Sequence, residues 1–173
     1  MRPGKKSEAR ASLIRAFQPL LVPGLLQAEA YAREVISAGA HSEIQIEERT
    51  RERMARQVAS LGRRPDPVTL SAVIGEAALR DGASEAMKEQ LEHLIDVGHR
   101  PNVHIRIVPF GGGLHLGHGE PFAMATLING SRVAYSMTPW RGRWSPPLRS
   151  WRALTQRGNL SVQRRCRGMS PET

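Results

Sequence analysis

A glycine-rich segment contains the residue types that could bind a metal ion. His115 and His118 stand three residues apart, and Glu120 follows two residues after the second histidine. Imidazole and carboxylate groups are common zinc ligands, and the glycines between them would let a loop fold around an ion. These three residues form a candidate metal site, and with it a hypothesis of a small metal-dependent enzyme. The alternative is a flexible loop with solvated histidines, because no cysteine or helix accompanies them.

A second group of polar residues lies on a predicted strand. His104 and Arg106 alternate with Val103 and Ile105, so the two pairs face opposite sides of the strand. If helices cover the apolar side, the polar pair faces solvent or a cleft, where a guanidinium could hold an anionic ligand. With His115, these two residues are the candidate ligand-binding residues. The alternative is an ordinary polar face on a half-exposed sheet.

The C-terminal segment carries most of the net charge of +9. Residues 139–173 hold eight arginines and one acid, whereas residues 1–138 are nearly neutral. Arginines interleaved with three tryptophans could bind phosphates and stack on bases. This pattern is the basis of a nucleic-acid-binding alternative that rests on Arg141, Arg143, Arg149, Arg152, Arg164 and Arg165. The other interpretations are a disordered end or a GC-rich gene read out of frame.

Apart from the candidate metal site, the sequence offers no arrangement typical of catalysis. It lacks the GxxxxGK phosphate loop, and Cys166 and the serines at helix starts lie in no nucleophile motif. We therefore expect a non-enzyme without a cofactor. A single cysteine is typical of a reducing compartment, and no apolar run is long enough to span a bilayer. Prolines interrupt the apolar stretch that imitates a signal peptide, so we expect a cytoplasmic protein with no membrane partner.

Apolar spacing predicts one α+β domain over residues 13–138, after a basic lead-in at residues 1–12 and before an irregular basic tail at residues 139–173. Helical spacing predicts a helix after Gly24, a second capped by Ser42 and a third capped by Ser84. Alternation predicts strands at 68–74, 103–108, 122–128 and 131–137. Asn129-Gly130 predicts a hairpin with a two-residue type I′ turn. We expect the N-terminal helices to pack on a small, mainly antiparallel sheet.

Several segments, taken in order, resemble a known family. They are FQPLLVPGLLQAEAYAREVI (17–36), EERTRERMARQ (47–57), GEAALR (75–80), QLEHLIDVGHRPNVHIRIVPF (90–110) and the loop GGGLHLGHGEPFAM (111–124). The series is similar to an effector domain of uncharacterised function that follows an XRE-type helix-turn-helix in actinobacterial transcriptional regulators. The similarity covers approximately residues 13–136.

The resemblance implies a cytoplasmic regulatory module that senses a ligand or docks a partner protein. The implied partner is a small protein or an intact helix-turn-helix regulator, and both homo-oligomers and hetero-oligomers stay open. No helix-turn-helix is present in this sequence, so we interpret it as a truncated or stand-alone version that contacts DNA only indirectly or through the tail. The family would continue after the hairpin with a strand and an acidic, leucine-containing helix, in whose place this sequence has the basic tail.

Overall fold

The computed structural model describes residues 10–62, 65–80, 84–111 and 121–136, with side chains described as far as residue 134. The helices are α1 (Glu29–Ser37), α2 (Glu43–Leu61), α3 (Ala77–Arg80) and α4 (Glu85–Gly98). The strands are β1 (Ala11–Gln18), β2 (Thr69–Gly75), β3 (Val103–Val108), β4 (Phe122–Leu127) and β5 (Arg132–Ser136). Among these described elements, no helix is both long and apolar enough to cross a membrane.

The strands form one mixed sheet in the order β3-β2-β1-β4-β5. β1, β2 and β3 run parallel, whereas β4 is antiparallel to both β1 and β5. The α+β class is confirmed. The sheet is mixed rather than mainly antiparallel, with two parallel and two antiparallel pairings. Its central strand, β1, to which β2 and β4 both pair, is not among the strands that the sequence predicts. β1 begins at Ala11, so the end of the expected lead-in belongs to the sheet.

The core lies between the helices and one face of the sheet. Register aligns Ile14 with Leu70 on one side and with Ala125 on the other, and Leu70 in turn with Val103. These side chains are buried against residues of the loop before α1 and of α4, namely Val22, Leu25, Leu26, Met87, Leu94 and Val97. The parallel strands need crossover connections, which α1 and α2 supply between β1 and β2, and α3 and α4 between β2 and β3.

Local sequence determines the helix starts. The Ser42 hydroxyl accepts a hydrogen bond from the Gln45 N–H at 3.4 Å, and Gln45 Oε1 accepts one from the Ser42 N–H at 3.1 Å. This capping box satisfies two backbone donors at the start of α2, as the sequence predicts. Ser84 likewise accepts from the Met87 N–H at 3.2 Å and begins α4.

The predicted hairpin joins β4 to β5, but its loop is one residue longer than expected. The Gly130 N–H donates to the Leu127 carbonyl at 2.9 Å, and the Leu127 N–H donates to the Ser131 carbonyl at 2.8 Å. These bonds enclose a three-residue loop, in which Gly130 adopts a φ of +80°. A left-handed glycine at the end of a three-residue loop is a common hairpin geometry, so the type I′ expectation is corrected.

Candidate functional site

The face of the sheet away from the core carries a group of basic side chains. We define this open sheet face by the residues that alternate with the core residues along the strands, namely Leu13, Arg15, Phe17, Ser71, Val73, His104, Arg106, Phe122, Met124, Thr126 and Arg132. Its four basic residues, Arg15, His104, Arg106 and Arg132, are all exposed. These four side chains are therefore accessible to a ligand or a partner, whereas Phe17 on the same face is buried.

No carboxylate balances this charge within the sheet. None of the five described strands contains an aspartate or a glutamate. The acidic residues of the described chain lie on the helices and in the loops, for example Glu43 and Glu47, which pair with Arg33 between α1 and α2. A surface with uncompensated positive charge raises the local concentration of anions.

Three of the basic residues are close neighbours of Ser71 in the sheet. Register places His104 beside Ser71 on β3 and Arg15 beside Ser71 on β1, so the three lie in one row across the parallel strands. Arg106 reaches Ser71 diagonally, with Nη1 donating to Oγ at 3.4 Å. A hydroxyl donor among guanidinium and imidazole groups has the chemistry to bind a phosphate or a carboxylate. We call Arg15, Ser71, His104 and Arg106 the Ser71 cluster.

The structure brings together two of the residues predicted to bind a ligand. His104 and Arg106 lie on the same exposed face, as the alternation of β3 predicts. The third, His115, lies outside the described residues, as do its metal-site neighbours His118 and Glu120. The tail arginines also lie outside them, and these are Arg141, Arg143, Arg149, Arg152, Arg164 and Arg165. Within the described part of the chain, no group of three or more histidine, cysteine or acidic residues could hold a metal ion.

Sequence reasoning missed Arg15 and Ser71. Arg15 is recognisable as a site residue only if residues 11–18 are identified as a strand, and their pattern gives little indication of it. A central strand next to neighbours on both sides buries residues on both faces, and here Ala16, Phe17 and Gln18 are buried in succession. Ser71 alternates correctly within β2, but only the parallel register shows that it lies between two basic residues.

A polar clasp at the carboxyl ends of β2 and β3 holds the neighbouring strands together. Glu76 Oε2 accepts from the Phe110 N–H at 2.7 Å, and its Oε1 lies 2.5 Å from Arg80 Nη2. The Phe110 hydrogen bond is the main cause that lowers the pKa of Glu76, and Arg80 lowers it further. The Arg80 guanidinium also lies over the Phe110 ring, 5.7 Å from its centre. The clasp ties the end of β3, and therefore the position of Arg106, to β2.

The close approach of β1 to β2 depends on Gly75. A Cβ atom at this position would lie 2.3 Å from the Pro19 carbonyl oxygen, far inside van der Waals contact. Glycine therefore lets the chain leave β1 directly across the end of β2. Leu20 and Leu21, which follow this contact, are exposed rather than part of the core.

Buried glutamines hold the loop before α1. Gln90 is fully buried, and its side chain donates to the Leu26 carbonyl and accepts from the Ala28 N–H, both at 2.8 Å. Gln27 donates to the Val22 carbonyl at 2.8 Å and accepts from Arg53, whose pKa is lowered chiefly by burial. These contacts satisfy loop backbone groups that helix and sheet leave unpaired, so the segment is a scaffold for the core.

The fold is a two-layer α+β structure with helices on one face of a mixed five-stranded sheet. The chain belongs to the family described as "Domain of unknown function (DUF5753)", whose model matches residues 5–157. The match begins before residue 13 and continues past residue 138, so it includes part of the basic tail. No curated protein matches the chain significantly. No solved structure matches it significantly either.

Proposed function

We propose that this chain is a non-enzymatic regulatory module that binds an anionic ligand or partner through the Ser71 cluster. The observation that carries the proposal is the grouping of Arg15, His104 and Arg106 around Ser71 on strands that contain no acid. Each cation can form a charge-assisted hydrogen bond to a phosphate or carboxylate oxygen, and the hydroxyl supplies a further donor. The recognised group is therefore an oxyanion.

The setting favours reversible binding over catalysis. The Ser71 cluster lies on an exposed sheet face rather than in a cleft that excludes water. Electrostatic stabilisation of a reacting group is strongest in dry sites, whereas open basic faces suit recognition. The sequence resemblance supports a place in cytoplasmic XRE-type regulators, where occupancy of this face would be conveyed to a helix-turn-helix. In that setting DNA is contacted by another part of the regulator.

Calorimetric titration of the full chain tests the proposal. The probes are pyrophosphate, a glutamate-rich peptide and a thymidine oligonucleotide, all at fixed ionic strength. We expect saturable binding of at least one probe, weakened about fivefold by Arg106→Gln, which corresponds to roughly 1 kcal/mol for an exposed charged contact. Arg49→Gln is the matched control, because Arg49 is exposed on α2. Equal affinity in the wild type and Arg106→Gln would contradict the proposal.

The same titration distinguishes binding at the Ser71 cluster from nucleic-acid binding through the basic tail. Binding through the tail predicts that only the oligonucleotide binds, with an affinity that falls steeply with salt. It also predicts that the double variant Arg141→Gln/Arg143→Gln loses this binding while Arg106→Gln retains it. Binding at the Ser71 cluster predicts the opposite dependence on the two variants.

A further inference from the structure

The edge strand β3 presents unpaired backbone groups to solvent. The Leu70 N–H donates to the Asn102 carbonyl at 2.8 Å and the Glu76 N–H donates to the Val108 carbonyl at 2.9 Å. In a parallel pair the peptide groups of alternate residues face the neighbouring strand, so those of Ile105 and Ile107 point away from β2. Within the described chain, no strand lies on that side of β3. An edge of this kind is a template for another strand.

An exposed apolar surface borders this edge. Leu91 and Ile95 on α4 are 39% and 64% exposed, and Ile107 on β3 is 43% exposed. Helical spacing alone would group Leu91 and Ile95 with the apolar face of α4, but the buried face includes Gln90 and Val97 in their place. Gln90 turns toward the loop before α1, which leaves the opposite side of α4 over the β3 edge. Leu79 and Met87 line the adjoining groove.

We propose that a second copy of this chain pairs with the β3 edge, antiparallel about a twofold axis at Ile105. This register sets Ile105 opposite its own copy and Val103 opposite Ile107. The Ile105 N–H and C=O then meet those of its copy, and the Ile107 N–H meets the Val103 carbonyl of the other chain. The Val103 N–H does not take part, because it donates to the Arg100 carbonyl of its own chain at 3.0 Å. The apolar side chains of both copies stay on the helix side. Axes at other outward residues keep the same alternation but pair fewer residues. The product is one continuous sheet with two isologous halves.

On the helix side of the sheet, charge complementarity favours a second copy as the occupant. A twofold axis that makes the β3 strands antiparallel also makes the two α4 helices antiparallel. Glu92 borders the apolar surface of α4, whereas His99 and Arg100 lie exposed at its end. Antiparallel helices therefore bring the carboxylate of one copy toward the basic end of the other, and they oppose the helix dipoles favourably.

The pairing would make the Ser71 cluster a shared site. His104 of one copy becomes the cross-strand neighbour of Arg106 of the other on the open sheet face. Four basic side chains then surround the axis, and their mutual repulsion weakens the dimer. A bound oxyanion would offset this repulsion and strengthen the dimer. This last consequence rests on the proposed function, whereas the dimer itself does not.

Sedimentation equilibrium of the full chain in chloride buffer without phosphate tests the dimer. We expect a concentration-dependent dimer that Ile95→Glu and Ile107→Pro each weaken by about tenfold or more. Proline removes an N–H that points away from β2, so it blocks the edge and leaves the internal ladder intact. The controls are Ile44→Glu and Ile128→Glu, at 81% and 72% exposed positions away from this edge, and they should retain the dimer.

Two results would overturn the inference. One is a wild-type monomer at every concentration up to the millimolar range. The other is a dimer that both edge variants retain, because it would have to use a different surface. Ile95→Glu alters an exposed side chain, so its circular dichroism should match that of the wild type and its outcome does not depend on folding. Since no oxyanion is present, failure here leaves anion binding to be judged by the calorimetric titration.

Discussion

Arg106 on β3 donates a hydrogen bond from Nη1 to the Ser71 hydroxyl on β2, at a distance of 3.4 Å. The bond is diagonal, since register sets His104 rather than Arg106 directly beside Ser71. Arg106 thus reaches the hydroxyl, while His104 and Arg15 are the register neighbours of Ser71 on its two sides. The Ser71 hydroxyl is therefore the centre of the candidate binding site.

Replacing Gln90 by leucine is expected to destabilise the fold strongly. Leucine fills a similar volume but leaves the Ala28 N–H and the Leu26 carbonyl buried without partners. Each unsatisfied group costs about 1–3 kcal/mol, so we expect a free energy of unfolding lower by roughly 2–4 kcal/mol. Urea denaturation measures this difference. Glu48→Leu, at an exposed position on α2, is the control and should change stability by less than about 0.5 kcal/mol. Similar losses in both variants would show that the buried amide is not the cause.

His93 should make the protein less stable in mild acid. Burial is the main cause that lowers the pKa of His93, and Arg100 lowers it further, against the opposing effects of Asp96 and Glu89. The unfolded chain then binds the proton at higher pH than the folded chain. Stability is therefore complete above the ordinary histidine pKa of about 6.5 and declines as the pH falls below it.

Urea denaturation at two pH values checks this expectation for the wild type and His93→Gln. The values are about pH 7.5 and about pH 5.5, one above and one below the ordinary histidine pKa of about 6.5. The wild type should lose more stability between the two conditions than the variant, because glutamine does not titrate. Parallel losses in the two proteins would assign the acid sensitivity to other groups. His99→Gln is the matched control, since its side chain is exposed after the end of α4.

Glu76→Gln is expected to loosen the end of β3. The carboxylate accepts from the Phe110 N–H and pairs with Arg80, and the neutral amide keeps the shape but loses the charge. Amide hydrogen exchange at Phe110 should become faster, and Arg106, four residues earlier, should lose some protection with it. Glu48→Gln, an exposed change on α2, should leave both rates unchanged. An unaltered exchange rate at Phe110 in Glu76→Gln would show that the clasp does not hold this segment.

Much of the fold is predictable from local sequence. The Ser42 capping box, the Ser84 cap and the alternation of β3 are short-range patterns, and each gives the element that the structure contains. β1 could not be predicted in this way, because a central strand with neighbours on both sides buries residues without strict alternation. Its absence from the expected elements explains why the parallel pairing of β1 with β2 was missed.

Two of the four residues of the Ser71 cluster could be predicted from the sequence. Alternation alone places His104 and Arg106 on one exposed face. Arg15 and Ser71 join them only through pairing between strands that are distant in sequence, and no local pattern encodes that register. Gln90 could not be predicted for the same reason. A glutamine on a predicted helix is expected to be exposed, and only the tertiary structure shows that its side chain bonds the loop before α1.

Amide chemical shifts of the full chain during titration with pyrophosphate test whether the Ser71 cluster binds an oxyanion. We predict saturable shifts at Arg15, Ser71, His104 and Arg106, and much smaller ones on the helical face around Arg49. Arg106→Gln should reduce the shifts at Ser71 and His104, whereas Arg49→Gln should not. Shifts confined to the basic tail, or none that saturate on β1, β2 and β3, would contradict anion recognition by the open sheet face.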